Sequence, residues 1–127
     1  VPEEFSVFQD LVGEKGLTPV IPVIPDGFVA TESRLFTSSI SKLSQLSVLY
    51  ENKSNFIVFE IMEIGGQPKS SYEKTAELVK TLTYDEVQYY FLVNNRNNSV
   101  AWNLDGLEYS VSTDLPISAL EEIITSI

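Results

Sequence analysis

Apolar and polar positions alternate over most of this chain, and short polar or glycine-bearing stretches interrupt the alternation. That is the pattern of short strands joined by turns. Near the two ends the period changes. Phe5, Phe8, Leu11 and Val12 recur at helical spacing, so residues 3–13 predict a short amphipathic helix stopped at Gly13 or Gly16. The next stretch, TPVIPVIPDGF, carries Pro19, Pro22 and Pro25, which exclude a central strand. It predicts an edge segment on the domain surface, then a turn at Pro25-Asp26-Gly27.

Strands are expected over 28–36 and 46–51, separated by the serine-rich tip TSSISKLSQ. Asn52-Lys53-Ser54-Asn55 reads as a turn. Residues 56–64 are apolar at both parities, which predicts a central strand buried on both faces. Gly65-Gly66-Gln67-Pro68 breaks the pattern. Residues 70–82 fit either a helix, with Ser70 and Glu73 as a capping box, or an irregular stretch ending in a short strand, and the second reading is preferred. Residues 86–93 form a β-rich run in which Tyr89 and Tyr90 point to opposite faces. Asn94 to Asn98 is a turn.

The C-terminal quarter speaks most clearly. Asp105-Gly106 is a preferred two-residue turn. It sets Leu104 opposite Leu107, Trp102 opposite Tyr109 and Val100 opposite Val111, all on one face. Asn103, Glu108, Ala101 and Ser110 take the other. Ser118 with Glu121 then reads as a capping box opening a helix whose Leu120, Ile123, Ile124 and Ile127 form one apolar side. Such a short helix needs a sheet to dock on. The expected fold is α+β: a curved antiparallel sheet of about five or six strands packed against one or two short helices. It forms a single domain, with residues 1–24 as helix and lead-in and 25–127 as sheet and final helix.

Composition narrows the chemistry. The chain has 127 residues, 43% of them hydrophobic, enough for one packed domain. Eighteen acids against eight bases give a net charge of −10, which disfavours nucleic acid and anionic lipid as partners. There is no cysteine and no histidine, so thiolate chemistry and the commonest base and metal ligand are missing. No run is long and apolar enough to span a bilayer. The chain starts at Val1 rather than methionine, which leads us to expect a signal or anchor upstream of it. Ile127 sits inside an apolar pattern and is expected to close the protein.

The run from Trp102 to Ile127 resembles the closing signature of a bacterial family, the domain of unknown function 4367. The residues that carry the resemblance are Trp102, the Asp105-Gly106 turn, Tyr109 and Ser112, then Glu121, Glu122 and Ile123 with the terminal Ser126-Ile127. Ile24-Pro25-Asp26-Gly27-Phe28 resembles that family's entry into its first strand. The likeness covers residues 25–127 and is strongest over 99–127. It implies a domain outside the cytoplasm of Gram-positive bacteria, membrane-anchored or lipoprotein-like, with no catalytic residues to carry over.

Candidate sites follow from chemistry and aromatic content. Glu60 and Glu63 sit on an apolar strand, where a buried carboxylate would mark an acid–base site; the plainer reading has Glu60 reach solvent at the sheet margin or pair with a lysine. Glu121 and Glu122 suit a helix start. No cofactor or metal is expected. Tyr89, Tyr90, Trp102 and Tyr109 are the candidate contacts for a ligand or partner. The first functional expectation is a non-catalytic interaction or sensing module, displayed outside the cell. The second is a lipoprotein-carrier-like half-barrel holding an apolar ligand or lipid, its cavity lined by Phe56, Val58, Tyr89 and Trp102. The third is a carboxylate-based hydrolase. A protein or an apolar ligand is the partner class, nucleic acid is excluded, and the membrane is met only through an anchor.

Overall fold

The computed structural model describes residues 2–65 and 77–126. The first helix forms as expected: α1 spans Glu3–Gly13 and buries Phe5, Phe8 and Val12. Gly16 ends it with a φ of 81°, a left-handed conformation natural to glycine, and the Leu17 N–H reaches back to the Val12 carbonyl at 3.1 Å.

Seven strands follow among the described residues: β1 (Val29–Thr37), β2 (Ser44–Glu51), β3 (Phe56–Glu63), β4 (Glu77–Tyr84), β5 (Val87–Asn94), β6 (Asn97–Leu104) and β7 (Leu107–Thr113). The last helix, α2, spans Ile117–Thr125. Every neighbouring pair is antiparallel, in the order β1-β2-β3-β7-β6-β5-β4. Two meanders, β1 to β3 and β4 to β7, therefore meet at the β3/β7 seam. Thr113 Oγ1 donates to the Phe56 carbonyl at 2.6 Å, and Asp114 accepts the Phe56 N–H at 3.1 Å. At the seam's other end the Ile64 N–H donates to the Gly106 carbonyl at 3.1 Å.

The sheet has one more strand than expected at most, because residues 77–84 form a full edge strand. Its turn into β5, Asp85-Glu86, has positive φ at both residues, 51° and 67°. That is the backbone of a two-residue mirror-image turn, made without the glycine or asparagine that usually announces one. The helix reading that rested on Ser70, Glu73 and Ala76 lies outside the described residues.

Paired residues point to the same side of an antiparallel sheet, so the registers divide the sheet into two faces. Leu46, Ile61 and Tyr109 share one face, as do Val48, Phe59 and Val111. Both helices and the proline segment lie on this face and complete the core with Phe8, Val12, Leu120 and Ile124. Lys80, on the edge strand β4, reaches across to an ion pair with Glu121 of α2, and its ammonium stands 5.3 Å from the Phe91 ring centre.

Four expectations need correction. The proline segment is not an edge segment on the domain surface: Pro19 and Pro22 are buried, and Leu17, Ile21 and Ile24 pack onto the core. Prolines fix an extended path, and here that path runs over the covered face rather than along an edge. Ser118 and Glu121 form no capping box. The N-cap position is Pro116, without a side-chain cap, and Glu121 is committed to Lys80. β3 is central but buried on one face only. Ile57, Phe59 and Ile61 lie in the core, whereas Phe56, Val58 and Met62 are half-buried on the face that carries neither helix. Finally, the lysine partner expected for Glu60 belongs to Glu63. The Glu63 carboxylate, on the covered face, accepts from Lys15 Nζ at 2.9 Å and from the Ser44 N–H at 2.7 Å, which ties the end of α1 to the sheet.

Candidate functional site

Three of the four aromatic candidates are core residues. Trp102 stacks face to face on Tyr109, with ring centres 5.1 Å apart and an interplanar angle of 1°. Tyr89 lies tilted against the other side of Trp102, also at 5.1 Å. Tyr89, Trp102 and Tyr109 are at most 4% exposed, so none offers a surface to a partner. The Tyr109 hydroxyl accepts the Val20 N–H at 3.1 Å and so pins the proline segment onto the sheet. Tyr90 stands apart on the second face, half-buried, and its hydroxyl donates to Gln88 Oε1 at 3.3 Å.

Burial raises the pKa of Tyr109, against the lowering effect of the Val20 hydrogen bond. Burial also raises that of Tyr89, with smaller contributions from Asp85 and Tyr84, and that of Tyr50. The sign of the linkage follows. A phenol whose pKa is raised by folding keeps its proton in the native state while the unfolded chain has lost it, so the stability it contributes is intact below about pH 10 and falls as pH rises through the folded value. We expect alkaline unfolding, with a fall of up to about 1.4 kcal/mol per pH unit for each such phenol. Urea midpoints measured from neutral pH to strong alkali check it; a midpoint that stays flat while tyrosinate absorbance rises would sink it.

The second face has a different character. Its register sets residues in rows across the strands. One row runs Phe36, Gln45, Met62, Glu108, Asn103. The next runs Arg34, Ser47, Glu60, Ser110, Ala101, Tyr90. In the first row, Phe36 and Met62 rise on either side of Gln45. They help to line a cavity of about 180 Å³, together with Leu43 and Ile64. A broader basin of about 410 Å³ adjoins it, lined by Gln45, Glu60, Met62, Glu108 and Ser110. The two share Gln45, Met62 and Glu108, so they form one continuous depression.

Beside it stands the β1–β2 hairpin tip. Ser38 Oγ accepts the Ile40 and Ser41 N–H groups at 3.2 Å each, and the Ser38 N–H donates to the Leu43 carbonyl at 2.9 Å. This ordered loop holds Ile40 93% exposed, and Phe36 below it is 66% exposed. Full burial of such a side chain is worth about 1.5–3 kcal/mol, which this fold leaves unused at two neighbouring places.

Comparison with known families places the chain. Residues 18–127 match the family described as Domain of unknown function (DUF4367). The chain belongs to that family. No curated protein and no solved structure matches it. The DUF4367 match takes in the whole sheet, the proline segment and α2, and it leaves α1 outside although α1 completes the core. The residues that carried the resemblance are thus structural in this DUF4367 chain. Trp102 and Tyr109 stack, while Asp105 and Gly106 turn with φ of 48° and 84°.

The residues of the depression were not singled out from sequence, apart from Glu60 and Glu63. Phe36 reads as an ordinary strand residue and Ile40 as one apolar residue in a polar loop. The available signal was parity: Phe56, Val58 and Met62 alternate with a still more apolar set, and only one of the two can face the helices. Of the two carboxylates singled out on β3, Glu60 lies on the second face and Glu63 on the covered one; Glu60 instead shares its basin with Glu108. The carrier cavity fails its own criterion, because Phe56 and Val58 lie on one face and Tyr89 and Trp102 on the other.

Proposed function

We propose that this DUF4367 domain is a non-catalytic interaction or sensing module, displayed outside the cytoplasm and anchored to the cell membrane by a segment beyond this chain. One observation carries the reading: the covered face is filled by the domain's own helices, while an ordered hairpin tip holds Ile40 and Phe36 in solvent beside a depression with apolar walls at Leu43, Met62 and Ile64. The family resemblance supports the placement. Among the described residues no helix is long and apolar enough to cross a membrane.

Residues 1–127 hold no cysteine, and the unsubstituted full-length protein serves as the control for labelling at any other position. In cells producing the full-length protein, Ile40→Cys is expected to react with a membrane-impermeant maleimide before lysis. A photo-reactive maleimide at the same position is expected to cross-link a neighbour. Labelling only after lysis would reject the placement, and an absence of adducts would reject the interaction reading. The shared basin of Glu60 and Glu108 favours carboxylate-based hydrolysis as a second reading. That reading requires a turnover that Glu60→Gln abolishes in a folded protein.

A further inference from the structure

Resting on that interaction reading, we infer that the depression on the second face receives an extended segment of another protein with the pattern apolar-x-Lys/Arg, its apolar side chain seated between Phe36 and Met62 and its cation on Glu60.

The geometry sets the pattern. Met62 and Glu60 are two residues apart on β3 and point the same way. In a strand that separation is about 6.6–6.8 Å, the same as between side chains i and i+2 of any extended partner laid along β3. An apolar residue at i therefore meets the cavity of about 180 Å³, where Phe36, Leu43, Met62 and Ile64 stand among polar residues that include Gln45 and Glu108. Residue i+2 then arrives over Glu60.

Charge sets the sign. Glu60 is half-buried, and its cross-strand neighbours on either side are the small residues Ser47 and Ser110. Among the described residues it makes no ion pair, while Glu63 takes Lys15, Glu32 takes Arg34 and Glu121 takes Lys80. A lysine or arginine brought by a partner supplies what the described residues do not. The net charge of −10 steers a basic segment toward this protein and turns an acidic one away. The same charge disfavours an anionic lipid surface as the occupant.

The test uses the whole chain in solution and three glycine-serine nonapeptides carrying Phe-Ser-Lys, Phe-Ser-Glu or Gly-Ser-Lys at the centre. Binding is followed by amide chemical shifts. The Phe-Ser-Lys peptide is expected to shift Phe36, Gln45, Glu60 and Met62, and to bind about tenfold or more tightly than either control. Glu60→Gln and Met62→Ser should each weaken it about tenfold with the amide spectrum still dispersed. Glu60→Gln changes the net charge by one in ten, so a loss of that size reports the site rather than the overall field.

Equal binding by the three peptides, or shifts elsewhere, overturns the inference. Contacts from Met62 to residues 66–76 that persist at saturating peptide would assign the depression to the chain itself and overturn it too. Sedimentation with phosphatidylcholine vesicles, lost in Ile40→Ser, would assign the apolar patch to lipid with the same consequence. Failure of all three peptides while the Ile40→Cys adduct still forms in cells rejects the basic segment alone. Failure of both rejects the interaction reading beneath it.

Discussion

A chain shortened to begin at residue 17 is expected to lose cooperative folding. The deletion removes Phe5, Phe8 and Val12 from the core and uncovers the part of the sheet formed by β1 and β2, on which α1 packs. Burial of each such side chain contributes about 1.5–3 kcal/mol, so roughly 5–9 kcal/mol disappears. A domain of this size holds only about 5–15 kcal/mol in all. Lys15 goes as well and leaves the Glu63 carboxylate, with its side chain 3% exposed, without its cation. Urea denaturation followed by circular dichroism decides the matter. A sigmoidal transition with the full-length midpoint would show α1 to be an ornament. The expectation has practical weight, since the family match starts at residue 18 and a boundary drawn there discards the helix.

Trp102→Ala is expected to cost about 3–5 kcal/mol, the usual range for emptying a buried aromatic site. Two contacts vanish at once, the stack on Tyr109 and the tilted contact with Tyr89. Phe59 packs on the far side of Tyr109 at 6.3 Å, so the loss spreads along a row of four rings. Trp102→Phe keeps a ring in place and should cost clearly less. A shift in the urea midpoint worth under about 1 kcal/mol for the alanine variant would contradict this account of the core.

These core positions are also the ones the sequence announced best. The Asp105-Gly106 turn fixed a register, and the structure pairs Trp102 with Tyr109 and Val100 with Val111 as that register requires. Turn chemistry, parity and polarity agreed there, and such agreement is what makes a local pattern legible. Where they disagreed, reading failed for identifiable reasons. β3 is apolar at both parities, so its pattern could not say which set meets the helices. Asp85-Glu86 adopts a turn backbone that its residue types do not advertise. Ser118 and Glu121 have the capping spacing, yet the N-cap falls two residues earlier, at Pro116, and Lys80 takes the glutamate. The depression was the least visible element. It is assembled from β1, β2 and β3 together with β7, which lies far from them in the chain, and only the register makes Phe36, Met62 and Glu108 members of one row.

The hydrogen bond from the Val20 N–H to Tyr109 has a mechanical meaning. A pull on the N-terminal end loads α1 first, then the proline segment, and reaches the strands only at β1. Neither α1 nor the segment is paired in the sheet, so they peel away by side-chain contacts and single hydrogen bonds in sequence, at low force. The two meanders, held by continuous ladders on both sides of the β3/β7 seam, resist far more. Tethered from its N-terminal side, this domain would yield in two stages. The first frees the Tyr109 hydroxyl, while the strands that carry the depression on the opposite face stay paired.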